Sequence, residues 1–170
     1  MKYNKAIKHS VKVLDKISEI VGSAVSWLTT ILVLLICTDV LFRYVFKFSK
    51  TWIIDLEWHL FSVIFLLGAA YTLQGDKHVR VDVFYHKFSK KKKAWVNLIG
   101  TLFLLIPWSV LLVFKSYSYA INSWIIREGA ADPGGLPARY IIKFAILLAF
   151  VLLLIQAISE LIKNGKKIMS

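Results

Sequence analysis

Four long apolar stretches alternate with short polar ones along the chain. They cover residues 20–42, with ILVLLIC at the centre, 52–74, around LFSVIFLLGAAYTL, 95–114, and 137–161, around FAILLAFVLLLI. The third pattern can continue as helix to residue 126. A helix needs about 20 mostly apolar residues to cross a hydrocarbon layer of about 30 Å. The pattern therefore predicts an all-α membrane protein of four transmembrane helices, forming one membrane domain over residues 1–170. Pro107 lies inside the third stretch, where a missing backbone donor predicts a kink. Gly68, Ala69 and Ala70 on the second predict a close helix contact.

Residues 1–19 follow a different rhythm. Tyr3, Ile7, Val11, Leu14 and Ile17 recur at intervals of three and four, and Val21 continues the series, with lysines between them. That spacing predicts an amphipathic helix lying at the membrane interface. The loop HVRVDVFYHKFSKKKK mixes apolar and basic residues in the same way, and Asp82 is placed to cap a short helix there.

Composition sharpens the class. Hydrophobic residues make up 58% of the 170, and 22 basic against 10 acidic residues give a net charge of +12. A soluble domain this small has too much surface for its volume to hide so much apolar area. Fifteen of the lysines and arginines flank the spans on the side of both termini, and seven lie on the other side. The positive-inside rule then places both termini in the cytoplasm. The basic excess reports orientation and anionic lipid headgroups, with no nucleic acid as partner. No removable signal peptide is expected, because the first apolar run starts only after a long charged stretch.

Ionisable groups in or near hydrocarbon are costly and mark a function or an interface. Asp39 and Arg43 end the first span four residues apart and are expected to pair on one helix face. Asp55, Glu57 and His59 open the second span, and Arg139 and Lys143 open the fourth. All fall in the leaflet away from the termini, and no comparable group is expected deep in the other leaflet. Three acids and three bases at one depth predict a neutralising network that fixes helices, within this chain or against another. An ion pathway would need polar groups through the whole thickness.

Other chemistries find little support. A bis-imidazole haem site needs two intramembrane histidines, and only His59 lies in a span, so no cofactor is expected. The single cysteine, Cys37, sits in an apolar run as a small hydrophobe. No catalytic constellation on a soluble domain is present, so the chain is not expected to be an enzyme. The loop INSWIIREGAADPGGLPARY carries turn signals at Asp132-Pro133-Gly134-Gly135 and is too short to fold alone. Trp124 and Tyr140 are expected as interfacial anchors.

Arg43-Tyr44 closes the first span and Trp52 with Glu57 opens the second. GAAYTLQGDKHVRVDVF runs from Gly68 to Phe84, and LPARYIIK from Leu136 to Lys143. In order and spacing these segments resemble the small, DctQ-like membrane subunit of tripartite ATP-independent periplasmic (TRAP) transporters, over nearly the whole chain. The resemblance implies a scaffold in the bacterial inner membrane, beside a large membrane subunit that carries an organic acid with sodium. It also implies a periplasmic binding protein that docks on the outer face. Asp39, Arg43, Asp55, Glu57, Arg139 and Lys143 would then be structural or interface residues. His78, Arg80 and Asp82 would organise the cytoplasmic turn, and Arg127, Glu128 and Asp132 would help dock the binding protein. Two alternatives from the residues stay open: a self-sufficient dimeric exporter working through Glu57, and a haem-bearing anchor of a redox enzyme.

Overall fold

The computed structural model describes residues 2–75, 85 and 88–169, with side chains from residue 8 onward. Four long helices make up the described chain: α1 (Lys2–Val45), α2 (Thr51–Gln74), α3 (Lys90–Ile125) and α4 (Tyr140–Met169). Each is long and apolar enough to cross a membrane.

α1 presents a narrow seam to its neighbours. Ser18, Val25, Leu32 and Asp39 are buried at strict seven-residue intervals, as in a coiled coil. The amphipathic segment and the first span form one uninterrupted helix of 44 residues, about 66 Å at 1.5 Å per residue. The buried seam passes residue 19 without a change of period. α2 lies against this seam. Gly22 sits under the Tyr71 ring so closely that any side chain there would overlap it. Gly68 faces Val25, and Ala70 is buried, so the small residues of the second span do serve a close approach.

α3 contains a π turn at Thr101–Leu105, immediately before Pro107. Pro107 cannot donate to the carbonyl four residues back, and the helix widens so that Ile106 N–H reaches Thr101 O instead. Beyond it the helix continues to Ile125, and Ser109, Ser116, Ala120 and Ser123 form its buried face. Such small side chains let helix backbones approach closely where lipid supplies no hydrophobic drive.

α4 occupies the centre and packs against the other three helices. Its most apolar stretch is 33% buried, against 11–17% for the others. The accessible surface is 11830 Å². A soluble folded monomer of this mass would expose about 8,500 Å². The bundle is thus open and flat, and its apolar circumference needs lipid or protein against it. Trp27, Trp58, Phe65, Phe103 and Trp108 all lie exposed on that circumference.

Candidate functional site

The ion pairs gather at the two ends of the bundle. At the loop end, α1 finishes with Asp39 and Arg43 paired one helical turn apart. Asp39 is only 2% exposed, whereas the Arg43 side chain is 47% exposed. Glu57, in the second turn of α2, lies close enough to feel both charges. Asp39 Oδ1 and Glu57 Oε1 are buried and have no hydrogen-bond partner among the described residues.

The connection between α3 and α4 is a folded loop. α3 ends in a Schellman arrangement, with Arg127 N–H on Trp124 O, Glu128 N–H on Ser123 O, and Arg127 in the left-handed region. This turn brings the Glu128 carboxylate back to the helix, where it accepts from Ser123 Oγ at 2.7 Å and pairs with Lys143 of α4. The Lys143 ammonium also stands 3.9 Å from the Tyr119 ring centroid. The loop then closes on itself through Ala130 N–H to Leu136 O and Arg139 N–H to Glu128 O. Asp55 of α2 holds it down by accepting Leu136 N–H at 2.9 Å. Gly135 is required there, since a side chain would overlap the Asp55 carboxylate and Ala130.

At the other end, Gln156 is fully buried and joins α1 to α4. Its Oε1 accepts from Ser18 Oγ at 2.7 Å, and its Nε2 donates to Asp15 Oδ1 at 3.1 Å and to Glu160 Oε1 at 3.3 Å. Asp15 Oδ1 also accepts from Ser159 Oγ and Lys163 Nζ, at 2.7 and 2.8 Å. Lys163 completes the cluster with Glu160 at 2.8 Å.

The pairing differs from the network expected of the loop end. Asp39–Arg43 pairs as the spacing indicates, but Lys143 is matched by Glu128, a residue assigned to docking. Asp55 serves the loop backbone. Arg127 stacks 4.2 Å above the Trp124 ring, and Asp132 and Arg139 line a cavity of about 340 Å³ with Asp55 and His59. His59 Nδ1 donates to Asp55 O at 2.6 Å. His78, Arg80 and Asp82 lie outside the described residues. The Asp15–Gln156 cluster adds a second polar end to the one expected at the loops. Its signal was present as Gln156, Ser159, Glu160 and Lys163, spaced three and four apart on one helix face.

Lys143 and Lys163 are separated by 20 positions on α4, or about 30 Å of helix, the thickness of a hydrocarbon layer. Between the two polar ends, α1, α2 and α4 carry no acidic or basic side chain, and on α3 Lys115 points outward and is exposed.

Fold and charge placement together define a multi-pass membrane protein with polar collars at both faces. The chain belongs to the family of tripartite ATP-independent periplasmic transporters, DctQ component, whose pattern it matches over residues 32–166. It is thus a component of a transporter of that class. No curated protein and no solved structure matches it significantly.

Proposed function

We propose that this chain is the small scaffold subunit of a secondary transporter that takes up an organic acid, coupled to sodium. Its partners are a large membrane subunit, which holds the transport site, and a periplasmic binding protein that docks at the loop end. The termini face the cytoplasm and the membrane is the bacterial inner membrane, in line with the fifteen-to-seven bias of basic residues.

The family match over residues 32–166 carries this reading. The charge placement supports it. Apart from the exposed Lys115, the charged groups sit in collars that join helix to helix, and among the described residues no charged side chain is buried in the slab between them. The groove between α1 and α2, lined by Leu32, Ile36, Glu57, Trp58 and Phe61, is apolar apart from Glu57 and opens outward. It suits a neighbouring membrane helix better than a solute. Affinity purification of the tagged chain from native membranes tests the assembly: a large polytopic subunit should accompany it in fixed ratio. Recovery of the chain by itself, under detergents that preserve other membrane complexes, would contradict the proposal.

The unpartnered Glu57 Oε1 favours one second reading, a small exporter using Glu57 as proton carrier. It requires proton-coupled transport by this chain alone that is lost in Glu57→Gln.

A further inference from the structure

Two carboxylates meet at the loop end with one base beside them. Asp39 of α1 is 2% exposed; its Oδ2 pairs with Arg43, and its Oδ1 is buried without a hydrogen-bond partner. Glu57 of α2 makes no hydrogen bond or ion pair with any described residue, and its Oε1 is buried as well. Asp39 and Arg43 are the charges near enough to act on Glu57. With both acids ionised, one negative charge is left over. In or near hydrocarbon, such a group is costly unless a cation or a donor joins it.

Glu57 also lines the groove between α1 and α2, a space of about 240 Å³ whose other walls are Leu32, Ile36, Trp58 and Phe61. Leu32 and Ile36 stand one turn apart on α1, and Glu57 and Phe61 one turn apart on α2, so the groove follows both helices. Leu32 is buried, whereas Trp58 and Phe61 are 66% and 57% exposed. Grooves between helical ridges are where a further helix packs, and large aromatics are the side chains that anchor protein interfaces.

Charge selects the occupant. A lipid acyl chain would fill the apolar part but has no donor for Glu57, and an anionic headgroup would be repelled by both acids. A second copy of this chain on a two-fold axis would set groove against groove, because such an interface uses the same patch on both sides. Glu57 would then face Glu57, and the Arg43 of each copy is already committed to Asp39. A partner helix bearing a basic side chain meets both requirements, apolar contact and neutralisation.

We infer that this groove receives a transmembrane helix of the large membrane subunit, and that a lysine or arginine on that helix pairs with Glu57. The inference rests on the scaffold reading above. The test is photocrosslinking in native membranes, with a benzophenone side chain in place of Phe61 or, as control, in place of Phe103 on α3, which packs against α4. Position 61 should capture the large subunit, and peptide mapping should place the link within two turns of a lysine or arginine in a transmembrane helix. Glu57→Lys should lower the yield about tenfold or more, and replacing the mapped base by Glu in the same complex should restore it. Circular dichroism melts check that the variant is folded, and Glu57→Gln serves if it is not. Capture of a second copy, a link to lipid alone, a captured helix without a base, or equal yields from positions 61 and 103 would overturn the inference. A yield unchanged by Glu57→Lys would do the same. The two failures are distinguishable: if the large subunit does not accompany the wild type at all, the scaffold reading fails. If it does but position 61 does not reach it, only this inference fails.

Discussion

Gln156 of α4, itself fully buried, donates its side-chain amide to the half-buried Asp15 of α1 across 141 residues of sequence. The same carboxylate collects Ser159 and Lys163, so one acid joins the first helix to the last near the two termini. Asp15 precedes the first apolar run, and Gln156 lies within the last. Their contact is possible because α1 continues without interruption through the boundary between segment and span.

Gln156→Leu should therefore destabilise the bundle. It deprives Ser18 of its acceptor and Asp15 of one donor, and a buried polar group left unsatisfied costs about 1–3 kcal/mol. Thermal unfolding in detergent should show a lower midpoint for Gln156→Leu than for Thr38→Val, an exposed control on α1.

The Asp39–Arg43 pair should respond asymmetrically. Arg43→Ala leaves a buried carboxylate without its cation, which typically costs about 3–5 kcal/mol. Asp39→Ala leaves a guanidinium that is half in contact with its surroundings, so its loss should be smaller. Chemical or thermal denaturation of the two variants should rank Arg43→Ala as the worse. The reverse order would mean that Asp39 is stabilised by something other than Arg43.

Gly22 offers a test in which two effects oppose. In an ordinary helix, Gly→Ala gains about 1 kcal/mol. Here the added methyl meets the Tyr71 ring, and overpacking of this kind costs about 1–3 kcal/mol. Gly22→Ala should be net destabilising, and Tyr71→Ala, which removes the ring but keeps the Cβ against the added methyl, should recover only part of the loss, as read from the melting midpoints of the four-member cycle.

Acid should loosen the loop end through Glu128. The Lys143 ammonium, followed by the Ser123 hydroxyl, holds the Glu128 carboxyl below its ordinary value of 4.5. A depressed folded value means the contribution is complete above about 4.5 and fades as pH falls through the lower, folded value. Unfolding midpoints of the wild type should therefore exceed those of Glu128→Gln at pH 7. The gap should narrow progressively below about pH 4.5.

Hydrophobic period alone located the four helices, because a run of apolar residues long enough to span has few other fates. Pro107 likewise marked the irregular turn of α3. Pairings were harder to foresee. Spacing along the chain sets Lys143 beside the acids of α1 and α2, yet Glu128 reaches it because a left-handed Arg127 folds the chain back, a conformation that nothing in the residue type favours. Gly22 carried no signal either, since only the partner helix makes its missing side chain necessary. The Asp15 cluster was readable in part from Gln156, Ser159, Glu160 and Lys163 on one face. Its partner lay in a segment whose lysines suggested a surface location.

Reconstitution into proteoliposomes with a sodium gradient and substrate-loaded binding protein tests most directly whether this chain supports transport without performing it. Uptake should require the large membrane subunit, rise when this chain is present with it, and be absent from vesicles containing this chain alone. Uptake by this chain in the absence of the large subunit would place the transport site within its own four helices and contradict the scaffold role.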